Sequence, residues 1–237
     1  MTNLSVNINK IALIRNARGS DFPNLVSFAK DIQRFGADGI TIHPRPDERH
    51  IKYDDCYTLK EYVYTELNIE GYPDKRFMKM IEEVRPHQVT LVPDKPGALT
   101  SDNGWDTNVH SEFLKDIIAQ LHESGTRVSL FLNPELAMVE GAKDCLADRI
   151  ELYTGKYARL YPTDRNQLIA PYAQVATFAD TLSMKVNAGH DLNLYNLSYF
   201  KEQIPILSEV SIGHALIVDA LYYGLQNTIQ MYKSKLA

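Results

Sequence analysis

The chain of 237 residues alternates along its whole length between short strand-like segments and longer helix-like segments. The first strand segment alternates polar and apolar residues, and most of the others are short runs rich in Val, Ile and Leu. The longer segments carry apolar residues at the spacing of an amphipathic helix. Eight strands are predicted at residues 5–11, 39–42, 66–70, 88–93, 127–132, 149–153, 185–188 and 209–212. Eight helices are predicted at residues 21–35, 53–65, 75–84, 109–124, 134–146, 165–182, 197–203 and 215–235.

This alternation strongly limits the possible folds. Strands that are separated by helices pair in parallel through right-handed crossovers. Eight such units in a chain of this length favour a (β/α)8 TIM barrel, and no Pro/Ser-rich linker divides the chain, so a single catalytic domain is expected over residues 1–237. The alternative is an open doubly wound sheet, which is less favoured because no G-x-G-x-x-G follows the first strand.

Composition excludes several classes of protein. Hydrophobic residues make up 44% and charged residues 23%, with a net charge of −5, which argues against a general binder of nucleic acids or membrane surfaces. Cys56 and Cys145 belong to no metal-binding motif, so reduced thiols are expected. The N-terminal segment lacks a signal-peptide core, and no apolar run approaches the ~20 residues of a membrane span. We therefore expect a cytoplasmic protein.

Polar residues collect where the predicted strands end. The carboxyl ends of the strands form the active-site face of a (β/α)8 barrel. One buried histidine is more often a satisfied core residue than a catalyst, but here five strands besides strand one contribute polar groups. A buried glutamate also costs several kcal/mol unless it is paired or neutral. These residues are His43, Glu70, His190 and the Gly213-His214 pair at strand ends, Glu151 within strand six, and Asn7 and Asn9, both expected to point inward from strand one.

Two groups of residues are candidate anion sites. The backbone N–H groups at Gly213-His214 precede the last helix and suit a phosphate. The loops after strands seven and eight are also the usual phosphate site of this fold. Gly189-His190 repeats the pattern, although Asp191 adds a negative charge. Arg45 and His50 offer a second site, since guanidinium groups match phosphate oxygens. Arg49 is interpreted as solvated or structural. Two anion sites suit two phosphorylated substrates or one bisphosphate.

Other chemistries have weaker support. His43, His50 and Glu70 could be metal ligands, but the chain has no H-E-x-x-H motif. Ser-His-Asp chemistry is not supported either, because the chain has no G-x-S-x-G elbow. We therefore expect acid–base chemistry that needs no metal and no cofactor. An epimerase or aldolase acting on a phosphosugar would need a metal or a catalytic lysine at a strand end, and Lys185 opens strand seven at the wrong end. A non-enzymatic barrel that binds a phosphate ligand remains a further alternative.

Several motifs together resemble those of one family. They are VNI at 6–8, IRNARG at 14–19, GADGITIHPRPDERHI at 36–51, LNIE at 67–70, LVPDKP at 91–96 with Thr100, VSLF at 128–131, IELYTG at 150–155, KVNAGH at 185–190 and IGHA at 212–215. In order and spacing the chain resembles the pyridoxine 5′-phosphate synthase family. The resemblance implies a TIM barrel with extra helices, assembled as a homo-octamer. It also implies condensation of 3-amino-2-oxopropyl phosphate with 1-deoxy-D-xylulose 5-phosphate to give pyridoxine 5′-phosphate, phosphate and water.

The resemblance also implies roles for individual residues. His43 and Glu70 match proton acceptors, His190 a proton donor, and Glu151 a group that stabilises a transition state. Contacts to the aminoketone phosphate are implied for Asn7 and residues 189–191, which include Gly189 and Asp191. Contacts to deoxyxylulose phosphate are implied for Arg45, His50, Thr100, Gly213 and His214. Arg18 matches an arginine that reaches the site from a neighbouring subunit, and the loop bearing Thr100 matches one that closes over substrate.

Two positions depart from the pattern of the family. Asn9-Lys10 stands where many relatives have Asp-His, so no role is transferred to these two residues. Asp191 stands where many relatives have glycine, and we expect only a backbone contact there. Neither departure affects the acid–base set.

Overall fold

The computed structural model describes residues 1–94 and 103–237. Within them, eight parallel strands close into one barrel in chain order, with β1 paired to both β2 and β8. The (β/α)8 prediction is therefore confirmed. The strands are β1 (Asn3–Asn7), β2 (Gly39–Ile42), β3 (Glu66–Gly71), β4 (Gln88–Leu91), β5 (Arg127–Leu132), β6 (Arg149–Tyr153), β7 (Lys185–Gly189) and β8 (Leu207–Ile212).

Helices surround the barrel, and none in the described ranges is long and apolar enough to cross a membrane. They are α1 (Asn9–Asn16), α2 (Leu25–Arg34), α3 (Tyr53–Tyr62), α4 (Lys75–Val84), α5 (Ser111–Glu123), α6 (Leu136–Asp144), α7 (Gly155–Thr181), α8 (Leu197–Gln203), α9 (His214–Tyr223) and α10 (Leu225–Leu236). The cysteines Cys56 and Cys145 are free thiols and are both buried.

Three sequence predictions differ from the structure. Residues 9–11 were predicted as strand but form the first turn of α1, so Asn9 lies on a helix rather than on β1. The predicted helix at 165–182 is only the second half of α7, which breaks at Asp164 (φ −152°, ψ 77°). There the Asp164 carboxylate accepts a hydrogen bond from the Gln167 N–H at 3.1 Å and starts the helix again. The predicted closing helix is two helices, α9 and α10, separated by Gly224 at φ 76°.

The two faces of the strands differ in polarity. The outward residues, such as Val6, Ile40 and Leu130, belong to one buried apolar cluster with the helices. The alternate residues point inward and are largely polar. Thr90 on β4 contacts Glu151 on β6 across the intervening strand β5, which places both side chains in the barrel interior. Branched apolar residues usually fill the interior of this fold, so ionisable groups here replace ordinary core packing.

The lower polar layer is a network of inward side chains at the amino-terminal half of the barrel. Its members are Glu66, Gln88, Arg127, Arg149, Asn187 and Glu209. Arg127 pairs with Glu66 and also donates to Gln88 Oε1 at 2.9 Å. Arg149 Nη1 donates to Asn187 Oδ1 at 3.3 Å and lies 4.0 Å from Glu209 Oε2. Each carboxylate of this layer therefore faces a guanidinium.

Candidate active site

A cavity of about 590 Å³ opens at the carboxyl ends of the strands. Most residues that the sequence singled out lie in its wall. These are Asn7, His43, Arg45, His50, Glu70, Glu151, His190, Asp191, Gly213 and His214. Arg18 is exposed just beyond α1 and does not line the cavity of its own chain, whereas Thr100 lies outside the described residues. The barrel thus brings together groups from six different strand ends.

His43 and Glu70 face each other at the end of β2 and β3. Their side chains are 5% and 14% exposed, and His43 Nδ1 lies 3.6 Å from Glu70 Oε2. Burial, reinforced by the positive charge of Arg45, lowers the pKa of His43 to about 3. Burial and then the charge of Asp94 raise the pKa of Glu70 to about 7, against the opposing effect of His190 and Arg45. Near neutral pH, His43 is therefore a neutral imidazole and Glu70 is able to gain or lose a proton.

Glu151 lies deeper in the same cavity. It is 3% exposed, and its Oε2 accepts a hydrogen bond from the Thr90 hydroxyl at 3.4 Å. Burial and then the charge of Glu70 raise the pKa of Glu151 to about 8. Gly189 makes room for this side chain, because a Cβ at that position would collide with Glu151 Oε1. Gly189, for which a substrate contact was predicted, does not itself line the cavity but leaves the space that Glu151 occupies.

His190 is held in a tight turn at the end of β7. His190 and Asp191 both have positive φ, 86° and 62°, which is uncommon for residues with a Cβ. Thr154 stabilises the turn by donating its hydroxyl to the Gly189 carbonyl at 2.7 Å, and it also contacts the His190 carbonyl. The edge of the His190 ring meets the Tyr153 ring with centroids 5.0 Å apart. This unusual backbone directs the imidazole towards the cavity.

The side chain of Asp191 contacts the neighbouring residue His190. Its Oδ2 lies 3.2 Å from His190 Nδ1, and the hydrogen bond with His190 lowers the pKa of Asp191. The sequence suggested only a backbone contact at this position. The Asp191 carboxylate also lies beside the neighbouring imidazole, where it can orient the His190 ring.

Arg45 and His50 lie on the loop between β2 and α3. Arg45 Nη2 contacts Asp94 Oδ2 at 2.8 Å, and these two side chains are 8% and 9% exposed. His50 Nδ1 accepts the Ile51 N–H at 2.8 Å, which leaves Nε2 as its second polar atom. Burial, followed by the charges of His43 and Arg45, lowers the pKa of His50 to about 3. The loop therefore presents one fixed guanidinium and one neutral imidazole.

Arg15 of α1 anchors this loop from behind. Its guanidinium binds both oxygens of Asp55 at 2.6 and 2.8 Å, and it also donates to the His50 carbonyl at 3.3 Å. Asn16 donates to the same carbonyl at 2.7 Å. Arg15 stands four residues after Ile11 on the buried face of α1, a helical spacing that could have revealed it. It was missed because residues 9–11 were interpreted as strand.

Gly213 and His214 begin α9 at the edge of the cavity. The first N–H groups of a helix have no intrahelical acceptors and carry the positive end of its dipole. A Cβ on Gly213 would lie 3.1 Å from Asn7 Cβ, so glycine allows β1 and the start of α9 to approach closely. The start of α9 thus lies at the cavity, where the sequence predicted an anion site.

Sequence reasoning misplaced or missed several other residues of the cavity wall. Asn9 was expected on a strand, yet from α1 its Oδ1 accepts the His43 N–H at 2.9 Å. Arg49 was interpreted as solvated or structural; it pairs with Asp47 at 2.5 Å, but it also borders the cavity. The remaining residues of the wall are Lys10, Leu13, Val92, Phe131 and Ser211. Phe131 follows Arg127 and Ser129 at alternate positions of β5, so strand periodicity could have identified it.

Solved structures with this fold include enzymes of quite different sequence. The chain aligns with 3-keto-L-gulonate-6-phosphate decarboxylase from Vibrio cholerae at a TM-score of 0.67 and 10% identity, covering 99% of this chain and 97% of that one. Phosphoribosylanthranilate isomerase from Thermotoga maritima aligns at a TM-score of 0.62 and 13% identity, covering 100% and 98%. These similarities support the barrel fold alone.

Sequence comparison is more specific. The chain is 57% identical over 236 residues to pyridoxine 5′-phosphate synthase of Cytophaga hutchinsonii, covering 100% of this chain and 99% of that protein. It is 55% identical over 234 residues to the protein of the same name from Parabacteroides distasonis, covering 99% and 98%. The family described as pyridoxal phosphate biosynthesis protein PdxJ matches residues 4–237. The cavity of acid–base and anion-binding groups thus lies in a chain that belongs to the PdxJ family.

Proposed function

We propose that this protein condenses 3-amino-2-oxopropyl phosphate with 1-deoxy-D-xylulose 5-phosphate and releases pyridoxine 5′-phosphate, inorganic phosphate and water, as a single catalytic domain of residues 1–237. The observation that carries the proposal is the convergence of four acid–base side chains on one cavity in a chain of this family. These are His43, Glu70, Glu151 and His190. The reaction needs no metal and no cofactor in this proposal.

The acid–base groups suit the successive proton transfers of such a condensation. The amine of one substrate attacks the ketone of the other, and water leaves as the imine forms. Loss of phosphate and closure of the ring, which releases a second water, each require further proton transfer. His43, which is a neutral imidazole near pH 7, and Glu70, whose pKa is about 7, act as proton acceptors. His190 donates a proton, and Glu151 stabilises a transition state. General acid–base catalysis typically contributes ~10²–10⁴-fold to the rate.

Binding of both substrates in one cavity supplies the second part of catalysis. In our proposal Asn7 and residues 189–191 bind the aminoketone phosphate. Arg45, His50 and the amino end of α9 at Gly213-His214 bind deoxyxylulose phosphate, together with Thr100 from outside the described residues. Holding two reactants in a productive geometry can lower the barrier by roughly 7–11 kcal/mol.

The alternative enzyme classes are less well supported. A phosphosugar aldolase would need a lysine at a carboxyl strand end. Among the residues that the structure describes, Lys185 is the exposed first residue of β7 at the opposite end. Lys10 does border the cavity, but it lies on α1 rather than on a strand. A purely binding barrel would have no need for two carboxyl groups that line the cavity together and have pKa values near neutrality.

We further propose that the protein is a cytoplasmic homo-octamer in which Arg18 reaches the cavity of a neighbouring subunit. Arg18 is exposed, and the adjoining α1 exposes Leu13 and Ile14. Helix α9, which contacts α1, exposes Leu221 and Tyr222 at 76% and 80%. A second copy of the chain would cover this apolar surface. Light scattering after size-exclusion chromatography measures the assembly, and a monomer would contradict this part of the proposal.

Turnover with the two substrates tests the activity directly. Purified protein should form pyridoxine 5′-phosphate and release inorganic phosphate at neutral pH with no metal or nucleotide added. Calorimetry with each substrate alone distinguishes plain binding from reaction. Folded oligomer that binds both substrates but forms no product would contradict the proposed activity and favour the binding barrel.

A further inference from the structure

Arg45 lies between two cavities. The second cavity, of about 260 Å³, shares with the first His43, Arg45 and Arg49. Its remaining wall includes Asp47, Asp74 and Asp94, so its carboxylates outnumber its two guanidinium groups. This acidic cavity is a poor place for a phosphate, but it is an attractive one for a guanidinium group.

A buried ion pair joins Arg45 to Asp94. Its Nη2 contacts Asp94 Oδ2 at 2.8 Å, and both side chains are more than nine-tenths buried, at 8% and 9% exposure. A buried guanidinium requires a charged partner, and its planar fork allows one edge to hold a carboxylate while another binds phosphate. Asp94 lies three residues after the end of β4 at Leu91, on the same side of the barrel as the cavity.

We propose that Asp94 is a positioning residue, whose carboxylate keeps the Arg45 guanidinium at the wall of the larger cavity, where it receives the phosphate of deoxyxylulose phosphate. This inference rests on the proposed function, since it assigns that phosphate to Arg45. Without Asp94, the guanidinium has room to turn into the smaller cavity towards the carboxylates of Asp47 and Asp74. Loss of Asp94 therefore weakens binding of this substrate, although it removes a negative charge from the site.

Asp94 also acts on a second group of the site. Its charge helps to raise the pKa of Glu70, after burial as the main cause. The other charged or titratable groups that face Glu70 are His43 and Arg45 after β2, Glu151 on β6 and His190 after β7. Removal of the Asp94 charge should lower the pKa of Glu70 and move the acidic limb of the pH–rate profile to lower pH.

The first test is Asp94→Asn, compared with Asp31→Asn, which removes an exposed aspartate paired with Arg34 at 2.8 Å. At about pH 8, where Glu70 is mostly ionised in either protein, Asp94→Asn should raise KM for deoxyxylulose phosphate about 10-fold, equivalent to about 1.4 kcal/mol. KM for the aminoketone phosphate and kcat should stay within about 3-fold, and the control should match the wild type. An unchanged or lower KM for deoxyxylulose phosphate would overturn the inference.

A double-mutant cycle shows whether Asp94 acts through Arg45. Arg45→Gln alone should raise KM for deoxyxylulose phosphate, and addition of Asp94→Asn should change it no further. The double variant removes both buried charges, so it remains informative if Asp94→Asn alone fails to fold. A further increase in KM in the double variant contradicts the inference. If Arg45→Gln itself leaves KM for deoxyxylulose phosphate unchanged, the proposed phosphate contact of Arg45 is wrong. If the wild-type protein shows no turnover, the proposed function is wrong, which is a separate outcome.

Discussion

Glu151 and Glu209 lie in the same barrel interior, but their surroundings differ in one decisive respect. Burial is the main cause that raises the pKa of each carboxyl to about 8. Glu209 is part of the lower polar layer, where Arg149 lies 4.0 Å away and Asn187 donates to it at 3.4 Å. Glu151 instead borders the cavity of about 590 Å³ and faces Glu70.

The difference teaches that a perturbed pKa does not by itself identify a catalytic group. Structural networks and active sites both shift the pKa of buried carboxyl groups. Access to a substrate-sized cavity and proximity to other acid–base groups distinguish Glu151 and Glu70 from Glu209. We therefore expect substitutions in the cavity to reduce turnover and those in the lower polar layer to change stability.

The largest expected effect comes from Glu70→Gln compared with Glu209→Gln. Glutamine keeps the shape of the side chain but cannot accept the proton, so Glu70→Gln should lower kcat by about 10²–10⁴-fold with little change in substrate affinity. Glu209→Gln should keep kcat within about 3-fold of the wild type. Steady-state kinetics and calorimetry measure both effects. Full activity of Glu70→Gln would remove Glu70 from the proposed catalytic set.

Glycine substitutions in the two regions should differ in a similar way. An alanine Cβ at position 189 would collide with Glu151 Oε1, so Gly189→Ala should lower kcat by up to about 10²-fold through misplacement of the carboxyl group. Gly39→Ala places its Cβ 3.1 Å from Ser5 Oγ and 3.2 Å from the Glu66 carbonyl, away from the cavity. This control should lower the melting temperature while the remaining folded enzyme keeps its kcat. Equal losses of kcat would contradict the division between the two regions.

The pH dependence of stability should reveal the buried carboxyl group of Glu209 in the lower polar layer. The folded protein keeps a proton on Glu209 up to about pH 8, whereas a typical carboxyl has a pKa of 4.5. The free energy of unfolding therefore loses the contribution of Glu209 as the pH rises through this window. The Glu209→Gln variant should not show this decrease. The difference in free energy of unfolding between the variant and the wild type should therefore shift in favour of the variant by on the order of 1–3 kcal/mol as the pH rises from about 4.5 to about 8.

Chemical denaturation at a series of pH values measures this effect, and parallel stability curves for the two proteins would contradict it. His43 and His50 act in the opposite direction at acidic pH, because burial lowers the pKa of each from 6.5 to about 3. Both proteins should therefore gain stability together as the pH rises from about 3 to about 6.5.

The smallest expected effect concerns the hydroxyl groups between the two regions. Thr90 donates to Glu151 and lowers the pKa of that carboxyl, so Thr90→Val should raise it and change kcat only a few-fold. Ser129 Oγ is buried and has no hydrogen-bond partner among the residues that the structure describes, so Ser129→Ala should have little effect. Titration of Glu151 followed by carbon NMR compares the two variants. A fall in the pKa of Glu151 in Thr90→Val would contradict the assigned hydrogen bond.

Much of the barrel could be predicted because buried parallel strands leave a strong pattern in the sequence. Strands β2 to β8 are short runs with many branched apolar residues, because their outward faces pack against helices. The segment from Asn7 to Arg15 was harder, since its alternating start is typical of a strand while Ile8, Ile11 and Arg15 also fit a helical spacing. The Asn7 carboxamide, which accepts the Asn9 N–H at 3.0 Å, decides this locally for helix.

The sequence by itself determined the eightfold alternation, the strand ends that carry polar residues, and membership of the PdxJ family through motifs along the whole chain. Tertiary structure decided which of those polar groups meet and how each is tuned. Burial and the charges of residues distant in the chain make Glu70 a group with a pKa of about 7, and the pairing of Arg45 with Asp94 joins positions 49 residues apart in sequence. Such effects depend on distance and solvent exclusion in three dimensions, which no local sequence pattern encodes.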